Sequence, residues 1–407
     1  MTRPRIVVVG GGASSAAAVA ELRKCGFDGD LTLVSAENTV PYERPPLSKG
    51  FLLGTSGQVP VKDAAWYEQE SVELLLGSRA TRLDLAARTV TLSGGAVLGY
   101  DQLLLATGVR PRVLPGLDGD GVCYLRTSED AVALRERMTA AGHVAVLGGG
   151  FIGCEVAAAA VGLGKRATIL EALPTLLYRA LGPDLGDVVA GIHRDEDVDV
   201  RTGQQVLGAR PLPGGVRIST LGGDVDADVL VVGVGTVPNT ELAEQAGLPA
   251  SQGIEVDEYF ATAAPGVYAV GDVAAQHLPG HGRRVRVEHH DTALRHGRAA
   301  ARNMLGHREP FGDVHWFWSD QFEHTISSAG LADGTGKLII RGSLEQRSFS
   351  AFSLDGDRVR GVIALNRPKD VLDARKLIAR PHRATADQLR DESLPLKRLA
   401  TAAVTAS

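Results

Sequence analysis

The chain has 407 residues, 44% of them hydrophobic and 22% charged, with a formal net charge of −5 at pH 7. At roughly 100 to 200 residues per domain this length implies two to four domains, and the near-average composition excludes a disordered or fibrous design. The acidic balance argues against a nucleic-acid binder, and three dispersed cysteines, Cys25, Cys123 and Cys154, with no Cys-x-x-Cys, leave a disulfide framework, a zinc knuckle and an iron–sulfur cluster without ligands.

Arg5–Val9 is a β-branched run followed by GGGASS and an alanine-rich segment of high helix propensity, which predicts strand, turn and helix. In a dinucleotide fingerprint the first glycine, Gly10, permits the tight turn, and the second, Gly12, lets a pyrophosphate approach the backbone. The third glycine, which lets helix and strand approach closely, is replaced by Ser15, at an expected cost of about 1 kcal/mol or less. Leu31–Glu37 reads as the next strand. Glu37 stands about 20 residues past the turn, where a carboxylate accepts hydrogen bonds from ribose hydroxyls; the alternative is a solvated acid after a strand.

Tyr100–Arg112, YDQLLLATGVRPR, reads as an apolar strand running into a proline-interrupted link. Val144–Gly164 repeats the opening with an intact fingerprint, Gly148, Gly150 and Gly153, and Arg166–Ala172 repeats the partner strand, which Glu171 ends. An anion there repels a 2′-phosphate, so NADH is expected over NADPH. Ala227–Ala243 repeats the proline-bearing link, so both links read as crossings between domains, and Gly266–Ala275 is a further buried strand ending in Gly-Asp. From about Pro310 come strand-like pieces, KLIIRG, SFSAFSL and VRGVIALN, then a helix over Lys369–Ala379 and a frayed tail, LATAAVTAS. No apolar run approaches the roughly 18 to 20 residues that cross a bilayer and no signal-peptide pattern precedes the first strand, which reads as a cytoplasmic protein away from membranes.

The duplicated βαβ module makes the fold α/β: two Rossmann-like, doubly wound, three-layer nucleotide-binding domains plus a smaller α+β C-terminal domain. Two nucleotide sites in one chain, one for a flavin dinucleotide and one for a nicotinamide, define a hydride relay. Between His281 and Arg308 lie Arg283, Arg284, Arg286, Arg295, Arg298, Arg302 and Arg308, with Glu288 and Asp291 among them. This run is either a solvated face or a docking site for an acidic partner.

PYERPPLSKG (Pro41–Gly50), LLLATGVRPR, YLRTSEDA (Tyr124–Ala131), GGGFIGCEVA, VVGVGTVPNTELA, YAVGDVA, RVEHHDTALRHGRAAARNMLG (Arg286–Gly306) and WFWSDQF (Trp316–Phe322) run through the chain, with ALNRPKDVLDARKLI and DESLPLKRL beyond them. Together they resemble the FAD-dependent, NADH-using ferredoxin reductases of the rubredoxin and putidaredoxin reductase type that serve bacterial Rieske dioxygenases and cytochromes P450. EHHD also resembles the apoptosis-inducing-factor branch of that superfamily.

The resemblance implies that residues 1–111 and 233–309 form a discontinuous FAD-binding domain, 112–232 an NAD-binding domain, and 310–407 an interface-like C-terminal domain. It implies that Arg44, Lys49 and Arg126 hold the FAD pyrophosphate and flavin, that Thr107 and Gly108 line the nucleotide, and that Asp272 hydrogen-bonds the ribityl chain. Gly10, Gly12, Ser14, Ser15, Glu37, Ala80, Ala106, Gly271, His289 and His290 complete the FAD set, and Gly148, Gly150, Ile152, Gly153, Glu171 and Gly235 form the NAD set. In similar reductases the lysine equivalent to Lys49 lies beside flavin N5 and pairs with the glutamate equivalent to Glu155; read alone, Glu155 in the first turn of a helix could merely complement its dipole.

Glu288, His289 and His290 are expected at the flavin face at the start of a helix, and His290 stands where many ferredoxin reductases have tryptophan. Trp318 is expected near the nicotinamide or flavin, with a core aromatic as the alternative, and the catalytic set is Lys49, Glu155, Glu288 and Trp318, with no metal. Where disulfide reductases carry a dithiol this chain has YERPPLSKG, which excludes disulfide reduction. The expected activity passes hydride from NADH to FAD and then single electrons to an acidic, ferredoxin-type iron–sulfur carrier, in a monomer or homodimer. The alternatives are a flavoprotein with oxygen, a quinone or a small biosynthetic substrate as acceptor, and a redox-controlled binding protein.

Overall fold

An unbroken run of β-branched and leucine side chains suits a strand covered on both faces. In the computed structural model, which describes residues 3–117, 119–277, 284–331, 337–380 and 383–401, Arg5–Val9 is the central strand of such a sheet. Val267–Ala269 and Gln102–Leu105 lie to one side of it and Asp30–Val34 and Val72–Leu75 to the other, all parallel. A second parallel sheet repeats the plan around His143–Leu147, in the order Asp199–Arg201, Arg166–Leu170, His143–Leu147, Val229–Val232, Val122–Cys123.

The chain divides into two compact units, Met1–Arg44 with Gln58–Arg110 and Thr236–Asp313, and Pro45–Gly57 with Pro111–Gly235 and Val314–Ser407. It leaves the first unit after Arg110 and re-enters at Thr236, within the two proline-bearing links. In the first unit the helix Ala13–Lys24 buries Ser14 through Val19, and the helix His290–Met304 buries Ala293, Gly297 and three further alanines. Such small side chains let two helices approach closely, and the Arg302–Glu21 ion pair at 2.8 Å ties them together.

The second unit takes in two segments whose placement has no local signature. Leu52, wholly buried, shares a core with Leu134, Val146 and Cys154, which draws Pro45–Gly57 away from the residues that flank it in sequence. The C-terminal residues form a five-stranded antiparallel sheet, in the order Trp316–Gln321, His324–Gly330, Arg358–Leu365, Ser348–Asp355, Ile339–Ser343. Ile326, Phe349, Ile363 and Leu365 of that sheet belong to the same core as Leu52. Its first two strands and two small antiparallel sheets, Ala80–Gly99 and Val206–Ala227, were not among the strands expected from the sequence. The C-terminal helix spans Pro368–Ile378, and a last helix, Leu396–Thr401, takes in the first three residues of the expected frayed tail; the remainder of that tail lies outside the described residues. Among the described residues no helix is long and apolar enough to cross a membrane, and no cluster of three or more His, Cys, Asp or Glu is placed to hold a metal.

Arg341, 5% exposed in the strand Ile339–Ser343, gathers the last part of the chain. Its guanidinium donates to the carbonyls of Leu389 (3.2 Å), Asp391 (2.7 Å) and Leu394 (3.1 Å) and faces Asp370 at 3.6 Å. Arg341→Met removes the donor to these carbonyls, the Leu389 one buried, and is expected to cost on the order of 3 kcal/mol, read as a lower midpoint in guanidinium unfolding.

Candidate nucleotide sites and a buried carboxylate cluster

The glycine turn of the first unit is set by sterics. Gly10 has φ +128°, its N–H donates to Val34 O at 2.8 Å, and a Cβ there would fall 2.0 Å from Ala106 O. Gly12 caps the helix Ala13–Lys24 without a side-chain hydrogen bond, and a Cβ built on it meets nothing within 4 Å. The N–H groups of Ala13, Ser14 and Ser15 have no acceptor within the helix, and the positive end of its dipole lies at the same place. Ser15 is fully buried, and its Oγ has no hydrogen-bond partner among the described residues. Free donors, a cradle open at Gly12 and an orphaned buried hydroxyl fit a diphosphate. Gly271 meets this turn, since a Cβ on it would lie 2.7 Å from Ser14 Oγ, and Asp272 follows in the same short 3-10 turn.

Glu37 lies three residues past the end of Asp30–Val34. It accepts from Tyr42 Oη at 2.6 Å and from Arg44 at 2.7 Å, and the guanidinium sits 5.1 Å from the Tyr42 ring centroid. Burial works against the Arg44 charge, yet Tyr42 and Glu37 outweigh it and hold the guanidinium above its usual range. Arg44, implied by the resemblance as a pyrophosphate ligand, is thus held on Glu37.

Thr107 donates its hydroxyl to Asn239 O at 2.7 Å, and Asn239 returns its amide to Thr107 O at 2.8 Å, with its N–H on Gly108 O at 2.9 Å. That hydroxyl proton therefore serves the pairing of two chain segments. Ala80 opens the strand Ala80–Asp84, half-buried. Glu288 and His289 precede the helix His290–Met304; His289 is its N-cap, and Glu288 accepts from Thr236 Oγ1 at 2.7 Å and pairs with Arg286. Burial, opposed by Glu43, Asp291 and Asp272, holds His290 below the usual imidazole range, so it is neutral near pH 7.

The arginine run is largely neutralised within its own unit. Arg284 pairs with Glu255 (3.0 Å), Arg286 with Glu288, Arg295 with Asp291 (2.6 Å) and Asp313 (2.7 Å), and Arg302 with Glu21 (2.8 Å) and Glu309 (3.0 Å). Arg308 lies over the Tyr259 ring, Arg298 is exposed, and Arg283 and His281 lie outside the described residues. Of the two readings of this run, ion pairing with carboxylates distant in sequence fits a solvated, charge-balanced face.

The second turn repeats the first glycine's geometry and backbone hydrogen bond. Gly148 has φ +102°, its N–H donates to Leu170 O at 2.8 Å, and a Cβ would lie 2.5 Å from Gly233 O. Gly150 caps the helix Phe151–Gly162, whose Ile152 is 45% exposed, and Gly235, with φ +98°, accepts from the Arg112 N–H at 2.9 Å. At the third position the turns part: a Cβ on Gly153 would fall 2.0 Å from Gly148 O, whereas Ser15 is accommodated. Glu171 accepts from the Gly149 N–H (2.6 Å) and the Leu173 N–H (2.8 Å), so a carboxylate is fixed on the backbone one residue past Arg166–Leu170. Arg126 stands just before the helix Ser128–Ala140, its N–H on Asp130 at 3.0 Å.

Glu155 lies in the second turn of Phe151–Gly162, past the first turn expected for it, which removes the helix dipole as its main partner. It is 4% exposed, with Lys49 Nζ 2.9 Å from Oε1, Ser319 Oγ donating to Oε1 at 2.5 Å and Ser48 Oγ donating to Oε2. The structure therefore brings Lys49 and Glu155 together and adds Ser48 and Ser319, which no local pattern marks. Trp318 is half-buried and stacks on Trp316, with centroids 5.3 Å apart. Cys154, beside Glu155, is fully buried; burial above all, with Glu155 and Glu171, holds its thiol far above the usual range, so it supplies no thiolate.

Two dinucleotide turns in one chain, each with a carboxylate beyond its second strand, define an FAD- and NAD(H)-binding oxidoreductase. The chain belongs to the pyridine nucleotide-disulphide oxidoreductase family, matched over residues 4–297, with a reductase C-terminal domain matched over 316–400. It is 36% identical to putidaredoxin reductase of Pseudomonas putida, over 98% of this chain and 97% of that protein. To rhodocoxin reductase of Rhodococcus erythropolis it is 38% identical, over 96% and 93%. To the ferredoxin–NAD(+) reductase component of the anthranilate 1,2-dioxygenase system of Burkholderia cepacia it is 38% identical, over 98% and 99%. Among solved structures it is similar to a chain of the covalent putidaredoxin reductase–putidaredoxin complex, with a TM-score of 0.95, 36% identity and 100% of both chains covered.

Two outcomes are expected at these sites. Ser15→Ala removes an unsatisfied buried hydroxyl and should stabilise the flavin-free protein by about 1 kcal/mol while weakening FAD retention, both read from unfolding with and without FAD. The fixed Glu171 carboxylate should give NADH a kcat/KM at least about tenfold above that of NADPH, a gap that Glu171→Ser narrows.

Proposed function

We propose that this protein is an NADH-dependent reductase of a ferredoxin-type iron–sulfur carrier that serves an oxygenase or a P450, working in the cytoplasm. The turn at Gly10–Ser15 takes the FAD diphosphate, Glu37 the ribose hydroxyls, and Asp272 the ribityl chain. The turn at Gly148–Gly153 takes NADH, with Glu171 on its ribose. In this reading residues 1–111 and 233–309 make up the FAD domain, 112–232 the NAD domain and 310–407 an interface-like domain. The chemistry supplied by a bound flavin is the exchange of a two-electron hydride for two single electrons.

The observation that supports this reading best is the Lys49–Glu155 pair with Ser48 in Pro41–Gly50. In that segment disulfide-reducing relatives carry a dithiol, and here the residues hold a cation on a buried carboxylate instead. Lys49 and Glu155 are the groups assigned to the hydride step, the lysine to balance negative charge that develops in it and the carboxylate to orient the lysine. Neutral, half-buried His290 supports a second reading, in which oxygen, a quinone or a small substrate replaces the carrier as acceptor.

The purified protein should be yellow and bleach on anaerobic addition of NADH, and Lys49→Ala should slow the bleaching at least about tenfold, the scale of one lost charge interaction. Reoxidation of the bleached protein should then be faster with a ferredoxin than with oxygen in stopped flow; the reverse order selects the second reading. A colourless protein that binds no FAD overturns both.

A further inference from the structure

The hydrogen bonding that starts at Glu155 continues beyond Ser319. Gln321 Nε2 donates to Ser319 Oγ at 3.1 Å, and Gln321 Oε1 lies 2.9 Å from His193 Nε2. Ser319 and Gln321 are two residues apart on one strand and so share a face. His193 comes from the last turn of the helix Tyr178–Asp195, its ring edge-on to Phe322 with centroids 5.1 Å apart. Glu155, Ser319, Gln321 and His193 are 4%, 1%, 2% and 0% exposed, so water does not substitute for any link.

The direction of each bond follows from what the atoms can donate. Ser319 Oγ at 2.5 Å from a carboxylate oxygen must present its proton there, because two lone pairs at that distance repel. Its lone pair then accepts from Gln321, which requires the amide nitrogen on that side and leaves Oε1 facing His193. Oε1 can only accept, so the imidazole proton sits on Nε2. Nδ1 has no partner among the described residues, which suits a bare nitrogen and not an N–H. Burial pushes His193 down to about 4 against the opposing Gln321 hydrogen bond, so the ring is neutral at ordinary pH and keeps one proton to donate. Every bond therefore points the same way, from His193 through Gln321 and Ser319 to Glu155.

We propose that His193 is a positioning residue for Glu155: as the Nε2–H tautomer it fixes the Gln321 amide, which fixes the Ser319 hydroxyl, which holds the carboxylate that pairs with Lys49. A flipped amide would turn Ser319's proton away from Glu155 and loosen the ion pair without any change at Lys49 itself. The catalytic consequence rests on the proposed function, in which that pair takes part in the hydride step; the tautomer and the direction of the chain do not.

Two measurements on the full FAD-loaded chain test this. In protein labelled with 15N-histidine, with the His193 resonances assigned by their loss in His193→Phe, one protonated Nε2 and one bare Nδ1 are expected between about pH 6 and 8. An Nδ1–H tautomer, or a ring that gains a second proton in that range, overturns the proposal. In anaerobic stopped flow, His193→Phe and Gln321→Leu should each lower the limiting rate of flavin reduction about tenfold, the scale of one buried hydrogen bond, with little change in the NADH concentration for half-saturation. His193→Gln, which keeps an N–H donor, should recover most of that rate. Equal losses in His193→Phe and His193→Gln, or no loss in His193→Phe while Glu155→Gln is impaired, overturn the positioning role. If Glu155→Gln itself reduces at the wild-type rate, the assignment of the pair to hydride transfer fails instead, and the histidine spectrum still decides the direction of the chain.

Discussion

A carboxylate withdrawn from water restricts what can surround it. An unpaired ion in a protein interior costs several kcal/mol, so Glu155 must be met by a cation and by donors with good geometry. The cluster draws on three parts of the chain: Ser48 and Lys49 from the segment Pro45–Gly57, Glu155 from the helix after the second glycine turn, and Ser319 from the C-terminal sheet. This convergence, together with the burial of Leu52 and Phe349 in one core, accounts for a compact unit assembled from residues 45–57, 111–235 and 314–407. Polar satisfaction and apolar burial select the same arrangement, which is the condition for a buried charge to be compatible with a unique fold.

The two glycine turns share a backbone and differ in how their carboxylates are held. Glu37 is held by the side chains of Tyr42 and Arg44, which can change rotamer. Glu171 is held by two backbone N–H groups, which cannot leave without disturbing the turn. The third position diverges in the same sense. The turn with a fixed carboxylate has no room for a Cβ at Gly153, while the turn with an adaptable one carries a serine. The two turns thus share the first glycine and its backbone hydrogen bond and differ at the third position and in what holds the carboxylate.

The elements legible in the sequence are those with a local cause. Continuous apolar runs before a glycine turn mark parallel strands, and both central strands, both turns and both crossings could be read from residues within about 20 positions of one another. Ser48, Ser319, Gln321 and His193 carry no such mark: a serine or glutamine bonded to a group more than 100 positions away leaves no spacing to detect. The charge balance of the arginine run was hidden for the same reason. Counting cations along the chain registers Arg284, Arg295 and Arg302 but not Glu255, Asp313 and Glu21, which lie opposite them only after folding.

The cysteines carry the argument about chemistry furthest. Cys154 is buried and held protonated, and burial raises the Cys123 thiol more than Arg137 lowers it. No two cysteines are neighbours in sequence, and the segment where relatives place a dithiol supplies a serine and a lysine to a carboxylate. A family that commonly routes electrons from flavin to a thiol pair is here left without one, so under the proposed activity the electrons must leave for an acceptor outside the chain. His290, at the start of the helix His290–Met304, stands where similar reductases were expected to carry a tryptophan, and an imidazole is smaller and more polar than an indole.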